Sequence, residues 1–161
     1  MTTIRCPLQE AAQISPHEPA IVSDERIIPY HELDELASRV AAHLGEAGVQ
    51  AGARVAIYLP PDWRAIAVFF GILRARATAC FINTRLPRAA VLAQIRQIGS
   101  ECVVAYIQDP AAADLSGLHV LHPAMLLAPR EAPTGETVWK VELDQPATIV
   151  FTSGSTGEPK A

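Results

Sequence analysis

Four hydroxyl side chains, two glycines and one lysine stand within nine residues near the carboxyl end of this 161-residue sequence. Glycines permit backbone conformations with positive φ, so successive N–H groups can point into one concavity. Hydroxyls add hydrogen-bond donors without bulk, and a lysine adds a mobile positive charge. These are the groups of a loop that binds a polyphosphate. The residues are Thr152, Ser153, Gly154, Ser155, Thr156, Gly157 and Lys160.

The spacing of this loop differs from that of two common nucleotide-binding motifs. Gly154 and Gly157 are three residues apart, and Lys160 is followed by Ala161. A Walker A loop has four residues between its glycines and a serine or threonine after its lysine, and the Rossmann pattern has three glycines. A stretch rich in glycine and serine is also typical of flexible linkers, so composition alone leaves that alternative open.

Strand-like runs and helix-like periods alternate along the rest of the sequence. The predicted strands are 20–23 and 26–28, paired as a hairpin, then 54–59, 78–82, 101–107, 118–121 and 147–151. The predicted helices are 33–47, 62–74 and 87–98, with a helical turn near Ala124. Strands separated by helices of about a dozen residues predict an α/β fold, in which a mostly parallel sheet is flanked by helices. The loop then follows the carboxyl end of a strand, where open α/β sheets bind ligands.

Particular residues mark the ends and surroundings of the predicted helices. Gly48 and Gly99 stand where helices end, because glycine adopts the left-handed conformation without strain. Asp62 can cap the helix that follows it. That helix is apolar on nearly all sides, so we expect it to lie in the interior. A solvated rim, which an anionic coenzyme could touch, is predicted for five arginines between apolar helix positions: Arg74, Arg76, Arg85, Arg88 and Arg96.

Composition excludes several classes of protein. A net charge of −4 and a pI of about 5.7 argue against nucleic acid as a main partner. The longest apolar run, 65–73, is too short to cross a bilayer, and the amino terminus does not resemble a signal peptide, so we expect no membrane association and a cytoplasmic protein. The three cysteines show no CxxC spacing, which predicts reduced, buried or half-buried thiols.

Other candidate sites lack part of their motif. His119 and His122 would share one face of a helix, but Pro123 follows and a third ligand is missing, so we predict no metal site. The sequence that begins at His31 has Glu35 where a zincin has its second histidine. The serines outside the glycine-rich loop lie in no G-x-S-x-G elbow, so a hydrolase nucleophile is not indicated.

The segment from Ile149 to Lys160 resembles the signature phosphate loop of the adenylate-forming superfamily, which includes acyl-CoA synthetases, luciferases and peptide-synthetase adenylation domains. Segments 28–33, 52–57 and 81–86 resemble further motifs of this superfamily, with Ala53 in place of the usual acidic residue. The resemblance therefore extends over nearly the whole chain.

This resemblance implies an ATP-dependent acid–CoA ligase. In such an enzyme a small carboxylic acid attacks the α-phosphate of Mg²⁺-ATP, and the thiol of coenzyme A then displaces AMP from the acyl-adenylate. Residues Thr152 to Lys160 would hold the β- and γ-phosphates, with Lys160 compensating their charge. The expected co-substrates are ATP with Mg²⁺ and coenzyme A.

Other parts of the superfamily's site follow the phosphate loop in longer members. They are the adenine- and ribose-binding segments, a glutamate for magnesium, the acyl pocket and a lid with a catalytic lysine. We therefore expect residues 1–161 to be the first part of the large N-terminal domain, with no catalytic residue or metal ligand and no activity alone. Uncovered apolar surface should favour self-association. A non-catalytic module that binds nucleotide or a partner is the alternative.

Overall fold

The computed structural model describes residues 2–106, 115, 117–130 and 137–151. Its strands are β1 (Thr3–Arg5), β2 (Pro19–Val22), β3 (Ile27–Pro29), β4 (Arg54–Tyr58), β5 (Thr78–Phe81), β6 (Cys102–Ala105), β7 (His119–Leu121), β8 (Lys140–Glu142) and β9 (Thr148–Val150). Its helices are α1 (Pro7–Ile14), α2 (Tyr30–Glu46), α3 (Trp63–Arg74), α4 (Arg88–Gln97) and α5 (Pro123–Leu126).

A five-stranded parallel sheet, in the order β7-β6-β4-β5-β9, forms the centre of the fold. All four residues of β6 and the last four residues of β4 are buried. Strands that are apolar along their whole length fit a parallel sheet, because both of its faces are covered by helices. The predicted α/β fold is therefore confirmed.

Alternate side chains of β4 point into two different layers of the core, one on each face of the sheet. Val55 and Ile57 face the layer that holds residues of α2, α3 and α5, whereas Ala56 and Tyr58 face the layer that holds residues of α4. This alternation follows from the two-residue repeat of a strand. The helices consequently lie on both faces of the sheet.

Two small antiparallel pairs accompany the central sheet. The pairing of β2 with β3 confirms the predicted hairpin. The pairing of β1 with β8 joins the start of the described chain to residues 140–142, and α1 follows β1 directly. The sequence pattern did not reveal β1, α1 or β8. The two strands are three residues long and acquire their order from each other rather than from local periodicity.

The predicted helix ends agree with the structure. Gly48 and Gly99 have φ values of 82° and 60°, each just after a helix. Asp62 caps α3 through its carboxylate, which accepts a hydrogen bond of 2.8 Å from the backbone N–H of Arg64. Six of the twelve residues of α3 are buried and five are half-buried, so the helix lies largely in the interior as expected, although Ile66 remains 38% exposed.

Two interpretations of polar side chains require correction. Arg74 does not lie on a solvated rim, since it is only 3% exposed and pairs with Asp34 inside the protein. His119 and His122 do not share a helical face, because His119 lies in β7 and His122 caps α5. None of the described helices is both long and apolar enough to span a membrane.

Candidate functional site

Strand β9 leads toward the predicted phosphate loop from a fixed position in the sheet. It runs parallel to β5, with Ala79 opposite Thr148 and Phe81 opposite Val150. The Thr148 hydroxyl donates a hydrogen bond of 2.9 Å to the carbonyl of Ala79. The chain leaves β9 at Phe151, on the edge where the carboxyl ends of all five parallel strands meet. This is the edge at which open α/β sheets bind ligands.

The predicted phosphate-binding residues themselves lie outside the described residues. They are Thr152, Ser153, Gly154, Ser155, Thr156, Gly157 and Lys160. The structure therefore describes the strand that precedes the loop, and the roles of the loop side chains stay predictions.

A cleft of about 610 Å³ opens at the same edge, beyond the ends of β4 and β5. One wall comes from the β2–β3 hairpin, a second from the first turn of α3, and the third from the loop after β5. Most of its lining is apolar, including Leu59, Trp63 and Phe81, and its polar groups include Asn83 and Arg85. Such a mixture, apolar surface with a few convergent polar groups, is typical of small-molecule sites.

The polar end of this cleft is a turn that fixes its own conformation. The side-chain carbonyl of Asn83 accepts a hydrogen bond of 2.9 Å from the backbone N–H of Arg85. An Asn side chain that bonds to the backbone two residues later stabilises a tight turn. Arg85, one of the arginines predicted for the rim, thus lies at the mouth of the cleft, where an anionic group could reach it.

Two guanidinium groups, one from the hairpin and one from α3, pack against the Trp63 ring at the start of α3. The guanidinium carbon of Arg64 lies 4.5 Å from the centroid of the Trp63 ring, and that of Arg26 lies 5.2 Å from it. Arg64 also forms an ion pair of 2.9 Å with Asp62, and Arg26 pairs with Glu32. Because both guanidiniums have carboxylate partners, this end of the cleft carries little net charge.

The β2–β3 hairpin contributes Ile21 and Val22 to the cleft, which the sequence did not predict. The hairpin itself was recognisable from two short apolar runs around a turn. Its packing against α3 joins residues about 40 positions apart, and local periodicity carries no signal for such a contact.

A second cavity, of about 470 Å³, lies at the opposite edge of the sheet. Gly48, Gly52 and Gly99 line it, and all three have positive φ. Arg54 also lines this cavity, and its guanidinium donates a hydrogen bond of 2.7 Å to the carbonyl of Ile98. The cavity surrounds the amino ends of the strands, away from the carboxyl end of β9, and we assign it no part in binding nucleotide.

The cysteines are buried, as predicted, and carry no disulfide. Burial raises the pKa of Cys80 to about 11, although the nearby Arg54 charge acts in the opposite direction. Burial likewise raises the pKa of Cys102 to about 11. Thiols of this kind stay protonated at neutral pH and are poor nucleophiles.

Metal ligands are not gathered anywhere in the described ranges, where no three side chains of His, Cys, Asp or Glu could hold an ion together. The ring of His122 accepts a hydrogen bond of 3.2 Å from the backbone N–H of Ala124 and packs edge-on against Tyr106. These contacts give His122 a structural role at the start of α5.

Comparison with known proteins gives consistent matches over nearly all of the chain. The sequence profile of a family described as "AMP-binding enzyme" matches residues 8–161. A 2-succinylbenzoate–CoA ligase of Bacillus cereus is 32% identical over 153 residues, which cover 95% of this chain and 31% of the relative. Syringomycin synthase SyrB1 of Pseudomonas syringae pv. syringae is 32% identical over 152 residues, which cover 94% of this chain and 24% of the relative. The chain thus spans a third or less of the length of these relatives.

Solved structures share the fold. The O-succinylbenzoate coenzyme A synthetase of Bacillus subtilis, in complex with ATP and a magnesium ion, superposes with a TM-score of 0.84 at 23% identity. That match covers 99% of this chain and 42% of the other. The N-terminal subdomain of Klebsiella oxytoca NpsA has a TM-score of 0.82 at 25% identity. This match covers 98% of this chain and 41% of the other.

Proposed function

This chain belongs to the AMP-binding enzyme family, and from that premise we propose that it is the phosphate-binding part of an ATP-dependent acid–CoA ligase. We assign residues 1–161 to the first part of the N-terminal domain, with the loop Thr152 to Lys160 on the phosphates of ATP. The observation that carries the proposal is the position of β9. A strand whose carboxyl end lies at the ligand-binding edge of a parallel sheet runs directly into the glycine- and hydroxyl-rich motif.

The reaction proposed for the whole enzyme has two steps. In the first, a carboxylate oxygen of the acid bonds to the α-phosphorus of ATP, the bond to the bridging oxygen breaks, and pyrophosphate leaves. In the second, the thiol of coenzyme A loses its proton and attacks the acyl carbon, and AMP leaves with the electron pair of the broken carbon–oxygen bond of the mixed anhydride. The products are a thioester, AMP and pyrophosphate.

The loop's contribution belongs to the first step. Negative charge grows on the departing pyrophosphate, so donors placed around it stabilise the transition state more than the bound substrate. Backbone N–H groups near Gly154 and Gly157 and the neighbouring hydroxyls would supply neutral donors, and Lys160 would supply the charge. Mg²⁺ would enter as part of the substrate Mg²⁺-ATP.

The acid that we propose is 2-succinylbenzoate, which would place the whole enzyme in menaquinone biosynthesis. Support comes from the string Asn83-Thr84-Arg85-Leu86, from Ala161 directly after Lys160, and from the similarity to the Bacillus cereus ligase. The equal identity to syringomycin synthase supports an adenylation domain as the second candidate. Pyrophosphate release by a longer chain, assayed with 2-succinylbenzoate and with amino acids, would separate the two.

Nucleotide titration of the 161-residue protein tests the loop directly. If the loop holds the β- and γ-phosphates, Mg²⁺-ATP should bind at least about tenfold more tightly than AMP, since one charge-assisted contact contributes about 1.5–3 kcal/mol. Lys160→Ala should remove most of that preference. Isothermal titration calorimetry measures both affinities.

The chain offers a matched control in Lys140, its other lysine, which is exposed in β8. Lys140→Ala removes the same charge from a position outside the loop sequence and should leave the preference for ATP intact. Equal loss in both variants, or equal binding of ATP and AMP by the parent protein, would contradict the proposed role. We expect no pyrophosphate release from the 161-residue protein, because no catalytic residue is assigned to it.

A further inference from the structure

Arg74, the last residue of α3, is buried and connects several elements. Its guanidinium donates hydrogen bonds of 2.8 Å to the carbonyl of Asp34 and to the hydroxyl of Ser38, both in α2. It also pairs with the carboxylate of Asp34, and the sulfur of Cys6 lies 3.5 Å away. A buried guanidinium is costly unless it is paired in this way.

The same guanidinium packs against the ring of Trp139. Its central carbon lies 5.5 Å from the ring centroid, and the indole N–H donates a hydrogen bond of 3.2 Å to the Ser38 hydroxyl. A planar guanidinium can stack on an aromatic ring while its edge donates hydrogen bonds, which an ammonium group cannot do. Arg74 and Ser38 therefore hold Trp139 in one orientation, directly before β8.

The amino-terminal segment secures Trp139 from its other side. The Trp139 N–H donates to the side-chain carbonyl of Gln9 at 2.9 Å, and its carbonyl accepts from the N–H of Cys6 at 2.9 Å. Gln9 also donates to the carbonyl of Thr137 at 2.7 Å. The N–H and the carbonyl of Trp139 are therefore both hydrogen-bonded, which fixes the backbone position from which the following segment begins.

Three side chains at the junction of α3 and β5 hold this later segment at successive points. They stand at every second position, and their partners follow in the same order along the chain toward β9. The contacts are Arg74 on the Trp139 ring, Arg76 in an ion pair with Glu142, and the Thr78 hydroxyl on the carbonyl of Pro146 at 2.9 Å. The next contact, from the Ala79 N–H to the carbonyl of Ala147 at 3.1 Å, brings the chain to the start of β9.

We propose that Arg74 is a positioning residue for the nucleotide site, because seating Trp139 sets where the segment 139–147 delivers β9 to the edge of the sheet. The link to nucleotide rests on the function proposed above, whereas the effect on β9 does not. If both hold, nucleotide binding at the loop and the seating of Trp139 are coupled, and each must favour the other by the same factor.

Hydrogen exchange measured by mass spectrometry tests the effect on β9. In Arg74→Met, amides of 147–151 should exchange about tenfold faster than in the parent protein, while amides of β6 keep their rates. Arg54→Met is the matched control, because Arg54 also donates to a backbone carbonyl, but its partner Ile98 follows α4 and lies outside the segment that leads to β9. Faster exchange limited to β1 and β8, with 147–151 unchanged, would overturn the proposal.

Two further variants cover the case in which Arg74→Met does not fold. Arg74→Lys keeps the charge but loses the planar fork, and Trp139→Phe keeps an aromatic ring but loses the donor to Ser38. In each of these two variants, amides of 147–151 should exchange faster than in Arg54→Met. The increase should be smaller than the one expected for a folded Arg74→Met protein, because each variant keeps part of the contact. Exchange at 147–151 equal to the control in both variants would count against the positioning role.

Nucleotide titration supplies the second measurement. In a Trp63→Phe background, Trp139 is the one remaining tryptophan of the sequence, so its fluorescence reports on the contacts of its ring with Arg74 and Ser38. Mg²⁺-ATP should change this emission, and Arg74→Met should weaken its affinity about tenfold in the same background. Unchanged affinity in a folded Arg74→Met protein would refute the coupling. If the parent protein binds no Mg²⁺-ATP, the proposed function fails, and exchange at 147–151 still decides whether Arg74 positions β9.

Discussion

A Cβ atom placed on Gly71 would lie 2.3 Å from Cγ1 and 2.4 Å from Cβ of Val40, far inside van der Waals contact. It would also lie 3.1 Å from the carbonyl oxygen of Ala37. Gly71 belongs to α3, and the other two residues belong to α2. The two helices therefore approach closely at this point, and the absence of a side chain at position 71 permits it.

We expect Gly71→Ala to destabilise the protein by about 1–3 kcal/mol, the usual cost of overpacking a core. The gain in helix propensity, about 0.5–1 kcal/mol, does not offset a clash with Cβ and backbone atoms, which cannot rotate away. The free energy of unfolding in urea measures the change.

Gly45 provides the control for this prediction. It is an exposed residue of α2, and a Cβ atom there meets nothing within 4 Å. Gly45→Ala should therefore stabilise the protein by about 0.5–1 kcal/mol. If both substitutions changed stability in the same direction, close packing at Gly71 would not be the cause.

The contrast between local and long-range contacts explains what the sequence could predict. The strands of the central sheet, the hairpin and the helix ends at Gly48 and Gly99 follow from periodicity and from glycine's conformational freedom. Arg74 was placed wrongly, because its helical neighbours are uninformative. Its partners Asp34 and Trp139 lie 40 and 65 residues away, so only the folded chain identifies Arg74 as an interior residue.

The candidate site divides in the same way. The motif from Thr152 to Lys160 and its position after a strand were readable from residue types. The cleft at the carboxyl edge of the sheet depends on how the β2–β3 hairpin meets α3 and the turn at Asn83. This meeting is a tertiary contact, and the sequence carries no local pattern for it.

The two thiols with raised pKa predict a loss of stability at alkaline pH. The pKa of Cys80 and that of Cys102 rise from the ordinary 9.0 to about 11 on folding. Above pH 9 the unfolded chain releases these protons while the folded chain keeps them. The stabilisation is therefore complete below pH 9 and is lost as the pH rises toward 11.

Each thiol should lower the free energy of unfolding by up to about 1.4 kcal/mol per pH unit across that range. Urea unfolding at several pH values between 8 and 11 measures the slope. The Cys80→Ala/Cys102→Ala double variant keeps every other titrating group and should show a shallower slope, whatever its stability at pH 8. Parallel slopes for the two proteins would rule out the thiols as the cause.

Strand β9 has one neighbour, β5, among the described residues, and its Val150 side chain is 56% exposed. A strand edge with unpaired backbone groups and an apolar side chain favours pairing with another chain. We therefore expect the 161-residue protein to self-associate in sedimentation experiments, with the associated fraction rising as the protein concentration rises.

Val150→Lys should reduce the association, because a charge on an edge strand opposes pairing. Val22→Lys, at a position 71% exposed on the hairpin, is the control and should leave it unchanged. A monomer at every concentration, or equal effects of the two lysines, would show that the β9 edge does not drive association.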